Sequence, residues 1–349
     1  MTSLSTFRPH GPLRWIIPRL VQSGSWTVFG AISAEDRWYA AAEECRQLLP
    51  NSHVRLLWIE PVQVRTSVWL DECNHRIAAN TNLAEGRFGK AAIAFKSTLN
   101  AIDHDVIELA EQMAESSDSQ VVMDVSTMPK RFFFPLLTRL CESSRIKTLI
   151  VTNTTPEEYG KELARDADEW RPLPIYCGDS LDESPEATLM IGVGYHPFRI
   201  QEILELSRGR RFSIKLFLPF PSLHPGNMEN WKFIRGITSE WDRVDAPIPI
   251  IRVSTHDASL AFDALRQHSN SGRTRALILA PFGPKPLSLA MCLLGIARTA
   301  IGCQTEIGYT QPQVYAPRYS IGIATLDGIP KVAAYCVKLN GRHLYSIDE

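Results

Sequence analysis

The chain has 349 residues, 44% apolar and 21% charged, with 37 basic and 38 acidic side chains and a net charge of −1. This length and composition suit a globular protein with two hydrophobic cores and exclude a disordered or coiled-coil chain. The lack of a basic excess argues against wrapping duplex nucleic acid, and no apolar run reaches the roughly 18–20 residues of a membrane span.

Residues 1–25 form a Pro-punctuated lead-in with a short helix over Leu13–Gln22. They contain no basic stretch followed by an apolar core, so a cytoplasmic protein is expected. The first half then reads as strand Thr27–Ala31, helix Ala34–Leu48 and strand Val54–Ile59, followed by a long polar stretch. Helix Asp103–Ala114 follows, with Asp103 as its N-cap, then strand Gln120–Val125, helix Arg131–Ser143 and strand Lys147–Thr152. Residues 156–187, acidic and Pro-rich around a helix over Pro156–Ala164, read as a linker.

The second half alternates in the same way. Its strands are Thr188–Val193, Ser213–Leu218, Ile248–Val253, Arg275–Ala280 and Gln304–Tyr309. Between them run helices Pro197–Ser207, Asn227–Glu240, Asp257–His268 and Lys285–Thr299. Two tail strands, Ser320–Thr325 and Lys331–Val337, flank Leu326-Asp-Gly-Ile-Pro330, a hairpin signal.

Landmarks recur between the halves in one order. Gly30 and Arg37 correspond to Gly192 and Arg199, Val54–Pro61 to Phe212–Pro219, His104-Asp105 to His256-Asp257, and Pro129-Lys130 to Pro284-Lys285. A domain-sized repeat of alternating strands and helices predicts an α/β protein of two tandem Rossmann-like domains, each a doubly wound, mainly parallel sheet, related by internal duplication. The expected division is 26–155 for the first domain and 188–349 for the second, which carries the C-terminal β-hairpin.

Two constellations could carry chemistry. In Gly283-Pro284-Lys285 a glycine and a cation stand at a helix start beyond a buried strand, where backbone N–H groups and the helix dipole attract anions. Ser126, Thr127, Lys130 and Arg131 supply hydroxyls and two cations at the matching point of the first half. The ordinary alternative is a tight strand-to-helix turn with a surface lysine. The second constellation is the pair of first-strand turns, with Ser33 and Arg37 in one half and Gly194, Tyr195, His196 and Arg199 in the other. These are expected at the carboxyl ends of strands, where doubly wound sheets bind ligands. Arginine could grip a phosphate and Tyr195 could stack a base, whereas surface solvation is the plainer role for the arginines.

His196, His256 beside Asp257, and Asp124 at a strand end are candidate acid–base groups, but no nucleophile elbow, Walker A loop or dinucleotide fingerprint is present. Seven scattered cysteines without a Cys-x-x-Cys pair, and histidines without HExxH spacing, predict reduced thiols, no zinc site and no cofactor.

The strand followed by Gly283-Pro284-Lys285-Pro-Leu-Ser-Leu-Ala290 and a helix resembles the turn of CRISPR-associated Rossmann-fold (CARF) sensor domains. It also resembles the related SAVED domains, which are two fused CARF-like units. Gly283 and Lys285 match that turn, with Pro284 where the family has threonine, and Ser126, Thr127 and Lys130 match in the first half. The resemblance implies binding of a nucleotide-type anion, such as a cyclic oligonucleotide, in a cleft between the halves. It also implies a sensing or regulatory subunit in bacterial antiviral defence with its effector on a partner protein. Two other readings remain open: a scaffold subunit of a multiprotein assembly, and a hydrolase or transferase acting on nucleotides or nucleosides.

Overall fold

The computed structural model describes residues 7–20, 23–62, 69–176, 186–194, 199–205, 211–221, 228–241, 247–269, 276–303 and 305–347. The chain divides into two compact units: unit 1 comprises Met1–Asp166 with Gln313–Leu344, and unit 2 comprises Ala167–Pro312 with Tyr345–Glu349.

Unit 1 opens with β1 (His10–Pro12), α1 (Leu13–Leu20) and β2 (Trp26–Ile32), followed by α2 (Ala40–Leu48) and β3 (Ser52–Glu60). It continues through α3 (Leu70–Phe88), β4 (Ile93–Thr98), α4 (Asp103–Glu115), β5 (Gln120–Asp124), α5 (Lys130–Glu142) and β6 (Thr148–Thr154). The five longer strands pair in parallel in the order β4-β3-β2-β5-β6. Helices cover both faces, so the central strand β2 is buried along its whole length and reads as a continuous apolar run. One core packs Trp26, Val28, Val122 and Ile150 against α1 and α2 through Leu13, Ile17, Ala41 and Cys45. A smaller core joins Ile32, Trp38 and Leu56 to Ala84 of α3. Neither α3 nor β4 is evident in the sequence, which there shows only a polar stretch.

In place of the helix expected over Pro156–Ala164 stand the short strand β7 (Glu158–Tyr159) and the start of β8 (Ala164–Ala167), and β9 (Arg171–Pro172) follows. Backbone donors that a helix would satisfy internally are used on a distant segment: the Gly160 N–H donates to the Tyr319 carbonyl at 3.0 Å.

Unit 2 contains β10 (Glu186–Gly192), α6 (Ile200–Glu205), β11 (Arg211–Pro219), α7 (Met228–Trp241) and β12 (Ile250–Val253). α8 (Ala258–His268), β13 (Ala276–Pro281), α9 (Lys285–Ala300) and β14 (Thr305–Tyr309) complete it. Its parallel strands run β12-β11-β10-β13-β14, and β9 adds antiparallel to β14. This is the strand order of unit 1, taken element for element. Its core on one face joins Leu189, Ile191, Leu216 and Ile278 to Phe233 and Ile237 of α7. The chain is therefore an α/β protein of two tandem, doubly wound, Rossmann-like units, and each has its topological switch point beside its first strand.

The tail comprises β15 (Pro312–Tyr315), β16 (Ser320–Ile321), β17 (Thr325–Leu326), β18 (Ile329–Pro330), β19 (Val332–Leu339) and β20 (Arg342–His343). A hairpin forms at the expected Asp-Gly turn, β17 with β18, with Asp327 and Gly328 at φ values of 53° and 76°. The longer strands expected to flank it pair elsewhere, β16 with β7 and β19 with β6 and β1. The assignment of the tail to the second domain is corrected: β19 lies antiparallel between β6 and β1 in the sheet of unit 1. Residues of β19 are buried on both faces, and a free two-stranded ribbon would leave such a strand half bare. No helix among the described residues is long and apolar enough to cross a membrane.

Candidate functional site

At the switch point of unit 1 the hydroxyls proposed for an anion are bonded within the protein. The Thr127 hydroxyl donates to the Ala31 carbonyl at 2.7 Å, tying the end of β5 to the end of β2. Ser126 is fully buried; its hydroxyl donates to Asp124 Oδ1 at 2.6 Å and accepts the Thr154 N–H at 2.7 Å. The Ser33 hydroxyl oxygen accepts the Glu35 N–H at 3.0 Å, a short loop closure that fixes the side chain against its own turn.

The cations of unit 1 are likewise turned inward. Arg37, expected on a helix surface or on a ligand, is 2% exposed and donates to Glu35 Oε2 at 2.9 Å and to the Thr154 carbonyl at 2.8 Å. Burial, the largest single influence, works against its charge, but Glu35, Tyr159 and Tyr319 together outweigh it and hold the guanidinium above its ordinary pKa. Arg131, 1% exposed, bonds the Ala101 carbonyl and Asp103 Oδ1. Asp103 is accordingly the first residue of α4 rather than its cap, and its carboxylate neutralises Arg131. Lys130 stands at the first turn of α5, 9% exposed.

A segment of the same unit then covers the turn after β2. Ser320 Oγ bonds Glu35 Oε2, the Gly322 N–H donates to Asp36 Oδ2 at 3.0 Å, and β16 pairs with β7. Arg76 of α3 closes on the other oxygen of Asp36 at 2.7 Å.

Asp124, at the end of β5, is 1% exposed. Its Oδ1 also accepts the Thr152 hydroxyl at 3.1 Å, while Oδ2 has no hydrogen-bond partner among the described residues. Burial pushes this carboxyl up to about 6, against the bonds from Ser126 and Thr152 and the charge of Arg37.

In unit 2 the turns after β10 and β13 meet. A Cβ on Gly194 would fall 2.3 Å from the Phe282 carbonyl oxygen, so the ends of β10 and β13 touch through bare backbone. Ser288, fully buried, donates to the Gly283 carbonyl at 3.1 Å and rigidifies the turn. Pro284 is the N-cap and Pro286 lies in the first turn of α9, so neither contributes an N–H there. The expected ring of backbone donors is thereby thinned, and an anion must rely more on Lys285 at the first helical position. Aromatic rings flank this turn: the Phe282 centroid lies 5.6 Å from Tyr309, 5.8 Å from Phe233 and 6.4 Å from Trp170. Composition alone did not reveal this cluster, because its members come from four separate elements or loops.

Arg199 precedes α6 with a φ of 51° and pairs with Glu202, and at 3.9 Å with Glu169. Tyr195 and His196 lie outside the described residues. The His256-Asp257 pair is resolved as a helix cap: Asp257 accepts the N–H groups of Ser259 at 2.8 Å and Leu260 at 3.1 Å, as N-cap of α8. Among the described residues no three His, Cys, Asp or Glu side chains converge as a metal site.

A concave groove of about 570 Å³ lies between α3 and the outer strands β3 and β4 of unit 1. Trp58, Asn74, Asn82, Lys90, Ile93 and Lys96 are among its lining residues. None of these was singled out in the sequence, because the groove depends on a helix and an edge strand that periodicity did not expose.

No protein-family model matches the chain, and no curated protein matches it. Among solved structures, a Pseudomonas aeruginosa UCBPP-PA14 protein assigned to the universal stress proteins aligns at 12% identity and a TM-score of 0.25, covering 82% of this chain and 93% of that one. A universal stress protein from Archaeoglobus fulgidus DSM 4304 aligns at 8% identity and a TM-score of 0.26, over 82% and 96% of the two chains. Scores this low carry no functional weight.

Proposed function

We propose that this protein recognises a nucleotide-type anion without turning it over, as the sensing or regulatory chain of a prokaryotic defence complex whose effector is a partner protein. The observation that carries this reading is the turn between β13 and α9. Lys285 at a helix start lies three residues beyond Phe282, whose ring is clustered with Tyr309, Phe233 and Trp170 at the carboxyl end of the sheet. A helix-start cation in the same turn as a cluster of tilted aromatic rings suits a molecule that carries both phosphate and base. A binding role is favoured over a catalytic one because Asp257 caps a helix, and Ser126 and Thr127 are held in internal bonds.

The test is titration of the full-length protein with cyclic di- to hexanucleotides by calorimetry, alongside Lys285→Ala and Lys130→Ala variants. Saturable binding lost in Lys285→Ala supports the reading. No binding by any of these compounds, in isolation and with the co-purifying partner, overturns it.

A further inference from the structure

The groove of unit 1 shares no residue with the unit 2 turn. Its floor is the face of β3 and β4 that continues outward from the Leu56 core. Register places Leu56 opposite Ile93, Trp58 opposite Lys96 and Glu60 opposite Thr98. The floor therefore changes along its length from aliphatic, to an indole beside an ammonium, to a carboxylate. Its roof is one face of α3, since Asn74, Ala78, Thr81, Asn82 and Glu85 recur at three- and four-residue steps. Asn74 and Asn82 are eight residues apart, about 12 Å along the helix at 1.5 Å per residue.

Neighbouring strands lie about 5 Å apart, and Trp58 and Lys96, paired in register on β3 and β4, both line the groove, so an indole and a positive charge can meet one molecule. Lys96 and Asn82 are exposed, Trp58 and Asn74 half-buried. None of these four side chains hydrogen-bonds or ion-pairs with another described residue. Amide groups that both donate and accept can read the edge of a heterocycle stacked on the indole. The volume falls within the roughly 300–1,000 Å³ of small-molecule sites.

We infer that this groove is a second ligand site, which takes a flat heteroaromatic anion the size of a nucleoside monophosphate. The ring stacks on Trp58, the asparagines of α3 read its edge, and the anionic group meets Lys96.

The experiment is calorimetric titration of the full-length protein with AMP, GMP, CMP and UMP, their nucleosides, and inorganic phosphate. It is repeated with Lys96→Glu, Asn82→Ala and Lys285→Ala, and circular dichroism checks each fold. Both groove substitutions fall on exposed positions and leave the cores intact. At least one monophosphate should bind saturably and more tightly than its nucleoside or phosphate alone. Lys96→Glu should weaken it by roughly tenfold or more, Asn82→Ala less, and Lys285→Ala not at all. Absence of saturable binding overturns the inference even if the cyclic oligonucleotides bind, as does undiminished binding in both groove variants. Loss in Lys285→Ala alone also overturns it and transfers the ligand to the unit 2 turn.

Discussion

Glu35 Oε2 accepts the Nε–H of Arg37 at 2.9 Å, and the same oxygen is bonded by the Ser320 hydroxyl from a segment 285 positions later in the chain. The pair neutralises a guanidinium that is almost wholly out of water and fastens β16 over the turn after β2. A residue type that suggests phosphate binding in the sequence is instead a structural tie.

Removing one partner of a buried ion pair costs roughly 3–5 kcal/mol because the other charge stays buried. Glu35→Ala should lower unfolding stability by that order, whereas Glu35→Leu combined with Arg37→Met should recover most of the loss. Urea denaturation of the three proteins measures this. A loss near zero for Glu35→Ala would mean that water reaches Arg37.

Gly194 and Gly86 should respond in opposite directions to alanine. At Gly194 the new methyl meets the Phe282 carbonyl at 2.3 Å, an overpacking that costs roughly 1–3 kcal/mol and pushes the β13–α9 turn out of place. At Gly86, inside α3 and exposed, nothing lies within 4 Å, and alanine should stabilise the helix by roughly 0.5–1 kcal/mol. Thermal unfolding of the two variants provides the comparison.

Asp124 should make the fold less stable as pH rises. Its carboxyl titrates near 6 in the fold and at 3.8 when unfolded. Below pH 3.8 both states hold the proton and the residue has no effect. Between there and about pH 6 the folded chain retains a proton that the unfolded chain has released, so stability falls with rising pH. Above pH 6 the full cost is present, about 3 kcal/mol at 1.36 kcal/mol per pH unit. The difference in unfolding free energy between Asp124→Asn and wild type should therefore move in favour of asparagine by about that amount from pH 4 to 7.5. A pH-independent difference would show that Asp124 ionises normally.

Cys45, Cys141 and Cys336 are buried, and burial raises each thiol well above its ordinary pKa, Cys141 and Cys336 to about 12. Thiolate is the reactive form, so iodoacetamide at pH 8 should leave all three unmodified in native protein and alkylate them in urea. Peptide mass mapping reads the outcome; native labelling of Cys45 would contradict its burial on the inner face of α2.

What the sequence determined by itself was the alternation of elements and the two switch points. Apolar runs such as Val121–Met123 and Ala276–Ala280 are local signals, and so are the Pro-Lys helix starts at Lys130 and Lys285. Tertiary structure decided which charges are tied up, because Arg37 reaches the Thr154 carbonyl and Arg131 the Asp103 carboxylate, groups 117 and 28 residues away in the chain. It also assigned β19 to the sheet of unit 1, since strand pairing depends on distant backbone donors. α3 was hidden for a related reason: only Cys73, Ile77 and Ala84 of its 19 residues are buried, too few to mark a helical period. The groove follows from that same sparseness, because the part of α3 that does not enter the core stands open above Trp58 and Lys96.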